Sequence, residues 1–441
     1  MKRRIIASLL VTVMVLAAAL TGCGNSGGGE VTETSSDEDV TISFSWWGSD
    51  DRHAAMQEVV ALYEAENPNV TIDVVYGAWD GWQTKMLTQL SGKTESDVMQ
   101  VNYNWVHSFG KGSNVFYDLN ELADYIDLSN WDSDYLKAME VGGEQGAVPH
   151  GMTGRVQVVN NSIFEEAGIE YPKTYEEMIE AAAIIGADNT ATGADNKYVG
   201  LNIGKECTDL YIAQMLYNAT GKTMQTDGTV NYTEDEVAAV FDQYIALEEA
   251  GALPKFEQDD PIQNESNPVW TGGRAGAVYE WAGTLDKYTG SFQGGGHDDE
   301  LIIQGYVTED GSDPTVYVKP NLGYAVSKNS KYPDVAADFV NFMFTNEEAV
   351  KTLGTSLGIS SNTVTNGIQE AEGMITGKVA EAYELLNSYD QTVMDPYFED
   401  ENVRGTRYVV IEGLRSGKYD SSEAAAKYIA DQQEELDKLY D

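Results

Sequence analysis

The sequence predicts an α/β fold built on a parallel sheet. Residues 41–48 (TISFSWWG) alternate β-branched and aromatic side chains with small polar ones, which favours a buried strand. Residues 54–66 place apolar side chains on one helical face, and residues 70–75 (VTIDVV) predict a second strand. A strand, a helix and a strand in such close succession favour a right-handed parallel βαβ unit.

The first predicted strand ends in two adjacent tryptophans, Trp46 and Trp47. Successive side chains of a strand point to opposite faces, so the two rings cannot both enter one core. Trp46 shares its face with Ile42 and Phe44, which favours the core for this ring. Ligands of open α/β sheets bind beyond the carboxyl ends of the strands. One of these rings could therefore bind a ligand. The alternative is that both rings are packing residues.

Local signals predict the elements that follow. Thr174 with Glu177 and Thr233 with Glu236 have the spacing of capping boxes, and Pro333 suits the first position of a helix. We predict further strands over 97–101, 156–159, 277–281 and 322–326, a helix through Leu90 that ends at Gly92, helices over 163–168, 174–185, 210–220, 233–251, 334–344 and 423–440, and a loop over 290–300.

The amino terminus predicts export and a lipid anchor. A basic start, an uncharged apolar run over 5–20 and small residues before Cys23 indicate a signal peptide over residues 1–22. The end of this segment resembles a bacterial lipobox, which implies cleavage before Cys23 and attachment of diacylglycerol to its sulfur. An ordinary secreted protein with a chance cysteine is the alternative. Residues 23–39 are rich in Gly, Ser and acidic side chains and predict a flexible tether.

Composition excludes several classes of protein. The formal net charge of −45 opposes binding to nucleic acid or to anionic lipid, and it weakly favours a neutral or cationic ligand. Besides Cys23 the chain has only Cys207, which we expect to be a small buried residue. There is no metal-binding spacing of cysteines, and the spacing at 227–231 fits no EF-hand. We therefore expect no metal and no cofactor.

Catalytic motifs give little support for an enzyme. The four histidines are scattered and form no HExxH motif, and residues 294–297 (GGGH) lack the Lys-Ser/Thr of a phosphate loop. A glycosidase needs a pair of carboxylates, and a chain with 72 acidic residues always offers one. An exported glycoside-acting enzyme therefore remains open beside our expectation of a non-enzyme.

Several stretches occur in an order that resembles one family. They are the strand ending at 46–48 (WWG), 92–101 (GKTESDVMQV), 146–149 (GAVP), 164–177 (FEEAGIEYPKTYEE), 270–278 (WTGGRAGAV), and 323–328 (GYAVSK) with 330–344. Together they resemble the lipoprotein substrate-binding components of ABC sugar importers, extracellular solute-binding protein family 1. The departures are Asn160-Asn161 in place of YNK, Ala277-Val278 in place of Ala-Met, and Ser96 in place of Pro.

This resemblance implies a fold, a location and partners. It implies two α/β lobes joined by a hinge, with lobe one over 37–149 plus 300–355 and lobe two over 150–299 plus 356–441. It further implies a monomer on the extracellular face of a bacterial cell membrane, held there by its lipid anchor alone. The protein would bind a sugar between its lobes and deliver it to the transmembrane subunits of an ABC permease.

Candidate ligand-binding residues follow from the chemistry of a sugar. A flat aromatic ring covers the C–H face, while carboxylates and amides bind the hydroxyl rim. Asp80 could instead cap a helix, His150 could be a turn residue, and Arg407 could pair with a carboxylate. The candidates in lobe one are Trp46, Trp47, Asp50, Asp80, Asn102, Asn104 and Trp105, and those near the crossing or in lobe two are His150, Met152, Arg155, Trp281 and Arg407.

The sequence thus predicts a binding protein for a neutral oligosaccharide. A binding protein of the same fold for a polyamine, a peptide or an ion is the second interpretation. The acidic charge would suit a cation, whereas the aromatic set suits a saccharide better.

Overall fold

The computed structural model describes residues 38–79, 81–110, 115–186 and 196–440. Its strands are β1 Val40–Trp47, β2 Val70–Gly77, β3 Val98–Val101, β4 Glu140–Val141, β5 Glu144–Gln145, β6 Val148–Pro149, β7 Met152–Asn160, β8 Gln225–Thr226, β9 Thr229–Val230, β10 Ala277–Trp281, β11 Leu301–Gln304, β12 Val316–Pro320, β13 Gly323–Val326 and β14 Gln391–Val393.

The helices lie between these strands and after them, in several places two or more in succession. They are α1 Asp50–Glu66, α2 Trp82–Gly92, α3 Tyr103–Gly110, α4 Ser133–Lys137, α5 Asn161–Ala167, α6 Tyr175–Ile185, α7 Gly204–Thr220, α8 Glu234–Glu249, α9 Pro268–Thr271, α10 Leu285–Gly294, α11 Pro333–Thr345, α12 Glu347–Leu353, α13 Thr363–Ala371, α14 Gly377–Ser388, α15 Glu401–Arg415 and α16 Ser421–Tyr440. Short 3₁₀ helices occupy Leu119–Leu122, Leu128–Asn130, Phe256–Gln258, Ala282–Thr284 and Pro396–Glu399.

Some predictions fall outside the described residues. They are the signal peptide, the lipidated Cys23, almost all of the tether, and Asp80. Among the residues that are described, no helix has the length and apolar character needed to cross a membrane.

The first sheet has the spatial order β2–β1–β3–β13–β6. β1 pairs in parallel with β2, from Val40 opposite Val70 to Trp47 opposite Gly77, and it also pairs in parallel with β3. Because α1 connects β1 to β2, the predicted parallel βαβ unit is confirmed. β13 is antiparallel to β3 and β6. The carboxyl ends of β1, β2 and β3 therefore meet at one edge of the sheet.

The second sheet is built around the long strand β7, which is buried along its whole length. β10, β11 and β12 all pair with it in antiparallel orientation, and β14 adds to β12 in parallel. In this register Trp281 lies opposite Arg155, and Lys319 lies opposite Thr153. Since Thr153 and Arg155 are two residues apart on one strand, the side chains of these four residues share one face of the sheet.

Each sheet lies within its own hydrophobic core, which gives the two-lobed α/β fold that the resemblance implied. The first core draws on residues 40–148 and 322–357, and the second on 152–318 and 359–428. Residues 301–320 were predicted in lobe one, but β11 and β12 pair with β7 of the second sheet. After β12 the chain returns to the first sheet at β13. The other lobe boundaries stay predictions.

The chain passes between the two cores at three adjacent places, near Gly151, Asn321 and Gly358. Asn321 joins all three: its backbone N–H donates to the Gly151 carbonyl at 2.9 Å, its Oδ1 accepts from the Gly151 N–H, and its Nδ2 donates to the Leu357 carbonyl at 2.7 Å. A Cβ at Gly151 would lie 2.2 Å from the Ile359 carbonyl oxygen, so this close approach requires glycine.

Several local predictions are confirmed. Thr174 and Thr233 form reciprocal capping boxes with Glu177 and Glu236, and Pro333 occupies the first turn of α11. Cys207 is buried, and its thiol donates to the Tyr279 carbonyl at 3.0 Å.

α2 ends at Gly92 as predicted, although Lys93, rather than Gly92, takes the left-handed conformation that follows it, with φ 53°. One local prediction is wrong. The predicted loop over 290–300 begins as a helix, because α10 continues to Gly294. Leu285, Tyr288 and Phe292 recur at helical spacing and are buried, and this packing outweighs the weak helix propensity of the glycines.

Candidate ligand-binding site

Three indole rings lie together at the carboxyl edge of the first sheet. Trp47 ends β1, Trp79 follows β2, and Trp105 lies in the first turn of α3, directly after β3. The Trp79 and Trp105 rings are stacked, with an interplanar angle of 8° and centroids 5.4 Å apart. Trp47 meets both rings at 5.2 Å, edge-on to Trp79 and tilted to Trp105. We call Trp47, Trp79 and Trp105 the indole cluster.

The three rings differ sharply in exposure. Trp79 is 49% exposed, whereas Trp47 is 8% and Trp105 only 1% exposed. Trp105 is enclosed by Trp79 on one side and Phe109 on the other, since both rings stack with it. In this arrangement only Trp79 offers a broad aromatic surface, although it was not among the predicted site residues.

Trp46 does not contribute to the candidate site. Its side chain points to the opposite face of β1, as the strand alternation predicted, and it is fully buried. The ring packs against Phe44 at 4.8 Å and Tyr76 at 5.1 Å, and its Nε1 donates to His53 Nδ1. It is a core residue, so its inclusion among the binding candidates is not supported by its position.

The second lobe presents Trp281 at the end of β10. The half-buried ring has two cations near it, since the Arg155 guanidinium carbon and Lys319 Nζ each lie 4.7 Å from the indole centroid. Its Nε1 donates to Glu206 Oε1 at 3.2 Å. Glu206 lies in the first turn of α7, where a carboxylate also complements the helix dipole. We call Trp281, Arg155, Lys319 and Glu206 the lobe-two cluster.

Arg155 organises the charges of this cluster. Its guanidinium is 4% exposed, donates to Glu206 Oε1 at 3.0 Å and to the Tyr279 carbonyl at 3.1 Å, and lies 3.7 Å from Glu280. Burial works against the charge of Arg155, but Glu280 and Glu206 raise the pKa of the guanidinium above its usual value. Burial likewise works against ionisation of Glu206, yet Arg155 and Lys319 lower the pKa of this carboxyl. Both groups are therefore charged at neutral pH.

Asn104 connects the indole cluster to the lobe-two cluster. This residue precedes Trp105 on α3, and its Nδ2 donates to the Glu399 backbone carbonyl at 3.5 Å. The Glu399 carboxylate pairs with Lys319, which lies over Trp281. The two aromatic clusters, one on each sheet, are thus joined by three polar side chains. Within the described part of the chain, buried Asn104 Oδ1 and Arg155 Nε have no hydrogen-bond partner.

A second interlobe contact lies beside this one. The buried Tyr103 hydroxyl donates to the Met394 carbonyl at 2.8 Å, and the His107 and Tyr397 rings meet edge-on at 6.4 Å. Tyr103 begins α3, and its side chain reaches the second lobe.

Three other candidates lie at the margins of the site. Asp50 is exposed in the first turn of α1, beside the carboxyl end of β1. Asn102 is half-buried, and its Oδ1 accepts from the Tyr103 N–H at 2.9 Å, so this oxygen serves the start of α3. Met152 lines a hinge groove of about 500 Å³ together with Ile359 and Tyr383, and the lining of this groove includes none of the tryptophans.

Arg407 belongs to the interior of lobe two. The side chain is 1% exposed and makes a bidentate pair with Asp209, through Nε at 2.8 Å and Nη2 at 2.9 Å. Nη2 also donates to the Phe398 carbonyl, and Nη1 donates to Gln432. This set of contacts makes Arg407 a structural residue, which agrees with the carboxylate-pairing alternative rather than with a ligand contact.

His150 is likewise structural. It lies at the crossing between lobes, 4% exposed, with its ring 5.6 Å from Phe344 and its carbonyl accepting from the Ser361 N–H. Burial lowers the pKa of His150 to about 4, an effect that a hydrogen bond to the Gly358 backbone only partly opposes. His150 is therefore neutral at physiological pH.

The buried His150 predicts an acid-sensitive fold. The usual histidine pKa is about 6.5, and that of folded His150 is about 4. Between these values the unfolded chain binds a proton that the folded chain does not, so stability falls as the pH drops through this window. When the pH is lowered from 7 to 4.5, we expect the wild type to lose ~2 kcal/mol more free energy of unfolding than His150→Phe loses. Urea unfolding at both pH values measures this difference, and equal losses would contradict the assignment.

Residues 354–358 (GTSLG) match the G-x-S-x-G pattern of a nucleophile elbow. The elbow requires a serine on a sharp turn between a strand and a helix. Here the segment follows the end of helix α12, and Ser356 Oγ donates back to the Leu353 carbonyl at 2.7 Å. The local structure is that of a helix terminus rather than of an elbow.

No group of three or more His, Cys, Asp or Glu side chains suited to a metal ion occurs among the residues described. Residues 227–228 form the turn between β8 and β9, where Asp227 takes φ 48°. This is the turn geometry that asparagine and aspartate tolerate.

Sequence reasoning missed Trp79, Glu206, Lys319 and Glu399. Trp79 followed a predicted strand just as Trp47 did, so the rule that ligands bind at strand ends could have found it. Glu206 and Glu399 carry no such signal, because they lie on or next to helices whose approach to Trp281 depends on the tertiary fold.

A family model described as bacterial extracellular solute-binding protein matches residues 47–350 of this chain. A Brucella abortus protein named as a binding protein is 26% identical over 174 residues, which are 39% of this chain and 41% of that protein. The alignment thus spans less than half of the Brucella relative. The diacetylchitobiose binding protein DasA of Streptomyces coelicolor is 25% identical over 407 residues, covering 86% of this chain and 83% of the relative.

Solved structures share the fold. A periplasmic solute binding protein from Pectobacterium atrosepticum superposes with a TM-score of 0.82 at 26% identity, covering 91% of this chain and 100% of that one. A periplasmic oligogalacturonide binding protein from Yersinia enterocolitica superposes with a TM-score of 0.79 at 22% identity, over 91% and 100% of the two chains.

Proposed function

The chain belongs to the bacterial extracellular solute-binding protein family, and we propose that it captures a neutral oligosaccharide between its two lobes and delivers it to an ABC permease. The observation that carries this proposal is the presence of aromatic surface on both lobes, joined by polar side chains. Trp79 is exposed on lobe one and Trp281 lies on lobe two, and contacts through Asn104, Glu399 and Lys319 connect the indole cluster to the lobe-two cluster.

The energetics of sugar binding require such a shared site. Micromolar affinity corresponds to ~8 kcal/mol. A neutral hydrogen bond contributes only ~1 kcal/mol, and one to a charged group contributes ~1.5–3 kcal/mol. Stacking on both lobes, together with charged hydrogen bonds from Glu206 and Arg155, can supply the total.

The charges of the site favour a neutral ligand. Arg155 is already compensated by Glu206 and Glu280, and Lys319 by Glu399. The charge of a uronate or a polyamine could be neutralised only if the ligand first broke one of these ion pairs. The relative named for diacetylchitobiose, which aligns over most of both chains, also supports an oligosaccharide.

The cellular setting is part of the same proposal. We expect export by residues 1–22, a lipid on Cys23, and a monomer on the extracellular face of the membrane. Mass spectrometry of the mature amino terminus tests the lipid, because an unmodified cysteine or a different cleavage site would contradict it.

A thermal-shift panel tests the ligand class directly. The purified protein is incubated with diacetylchitobiose, cellobiose, maltotriose, digalacturonate and spermidine. We expect a neutral oligosaccharide to raise the melting temperature and to be recovered intact. A rise with spermidine or digalacturonate alone would contradict the proposal, and release of shortened sugar would indicate an enzyme.

Trp281→Ala is expected to weaken oligosaccharide binding at least tenfold, or ~1.4 kcal/mol. The substitution removes an aromatic surface, and Arg155 and Lys319 both lose the ring that they contact. Isothermal titration measures the change. Trp281→Phe keeps a ring and should lose less, whereas unchanged affinity in Trp281→Ala would remove this residue from the site.

A further inference from the structure

Trp79 is the outward ring of the indole cluster. Its loop lies between Gly77, which ends β2, and Gly81, which takes φ 76° just before α2. The Trp79 carbonyl accepts from the Trp82 N–H at 3.0 Å. The Trp79 indole lies on Trp105, nearly parallel to it, with the two ring centroids 5.4 Å apart.

The two inner rings hold the outer one in place. Trp47 meets Trp79 edge-on at an interplanar angle of 62°, while Trp105 stacks on it. Edge-to-face and offset-stacked contacts are the favoured arrangements of aromatic rings. An indole held on two sides keeps its orientation, and the 49% of Trp79 that remains exposed is a preformed apolar platform.

We propose that Trp79 is the lobe-one platform for the sugar and that it sets the preference for oligosaccharides over monosaccharides. This inference rests on the proposed function. Trp79 and Trp281 belong to different lobes, and a series of contacts connects them: Trp79 stacks on Trp105, the neighbouring Asn104 bonds Glu399, and Glu399 pairs with Lys319 over Trp281. One pyranose ring can cover one indole, whereas a ligand of two or more units can cover both. Trp79 therefore adds affinity only for longer ligands.

Tyr76 provides a matched control three residues away. It is also aromatic and 42% exposed, and it also lies at the end of β2. Its ring, however, stacks on Trp46 and His53, on the opposite face of β1 from the indole cluster. Removing it changes exposed aromatic area without changing the proposed platform.

The test compares wild type, Trp79→Ala, Trp79→Phe and Tyr76→Ala by isothermal titration. The probes are diacetylchitobiose, cellobiose and maltotriose, with N-acetylglucosamine and glucose as their single units. For the oligosaccharide that binds best, we expect Trp79→Ala to raise Kd at least about tenfold, and Trp79→Phe and Tyr76→Ala to change it less than about threefold. Binding of the single unit should change less than about threefold in every variant.

The possible outcomes are separable. If wild type binds a sugar and Trp79→Ala binds it equally well, the inference about Trp79 fails while the proposed function stands. Tighter binding by Trp79→Ala would also overturn the inference about Trp79, because it would show that the Trp79 ring blocks access of the ligand to Trp105. If wild type binds none of the probes, both proposals fail. Thermal melting of each variant shows whether it is folded. If Trp79→Ala is not folded, Trp79→Leu provides the test, because leucine keeps apolar bulk over Trp105 without a flat ring and should also raise Kd at least about tenfold.

Discussion

Replacement of Arg407 by alanine is expected to lower the free energy of unfolding by about 3–5 kcal/mol. Arg407 and Asp209 are 1% and 2% exposed at their side chains, and their bidentate pair is joined by the Phe398 carbonyl. Without the guanidinium, the buried Asp209 carboxylate would lose the cation that pairs with it. The guanidinium also lies 4.0 Å from the Phe398 ring, so its loss leaves a cavity as well.

Urea unfolding followed by tryptophan fluorescence measures this loss. The double variant Arg407→Met/Asp209→Leu should recover most of the stability, because it removes the charge and its partner together. Lys378→Ala, which breaks an exposed pair with Glu381, should cost less than ~1 kcal/mol. A loss that small in Arg407→Ala would show that the pair is not buried as described.

Arg155→Ala is expected to affect both stability and binding. It leaves Glu206 and Glu280 without their common cation, and Glu280 is already committed to the Tyr288 hydroxyl at 2.5 Å. We expect a loss of ~3 kcal/mol in the free energy of unfolding, by the rule for broken buried pairs. We also expect at least about tenfold weaker sugar binding, because Glu206 and Trp281 lose the group that orients them.

Arg155→Lys separates these two effects. Lysine keeps the charge, but it cannot reach Glu206 and the Tyr279 carbonyl together with a planar fork. Arg155→Lys should therefore restore more of the free energy of unfolding than of the sugar affinity that Arg155→Ala loses. Titrations are compared with unfolding curves at the same temperature, and an Arg155→Ala variant of wild-type affinity would place Arg155 outside the site.

Several features of the fold could be predicted from local sequence patterns. Alternation along β1 predicted that Trp46 and Trp47 would separate, and the structure places them on opposite faces as expected. The capping boxes at Thr174 and Thr233 are equally local signals and are confirmed. Such signals suffice because a strand face or a helix cap depends on residues only a few positions apart.

The contacts of the site depend on residues distant in the chain, and the sequence could not supply them. Asp209 pairs with Arg407 across 198 positions, and Glu206 reaches Trp281 across 75. Arg155 and Arg407 were both candidates, yet only Arg155 lies on the sheet face that carries Trp281. Which of two buried arginines lies on this face is decided by tertiary packing, not by the residues beside it.

A crystal structure of the protein with its best-binding oligosaccharide tests the central claim most directly. We expect one sugar unit to lie against Trp79 of the first lobe, another against Trp281 of the second, and hydroxyls to bond Glu206 and Asn104. A sugar bound away from both indoles, or held by one lobe alone, would contradict the account.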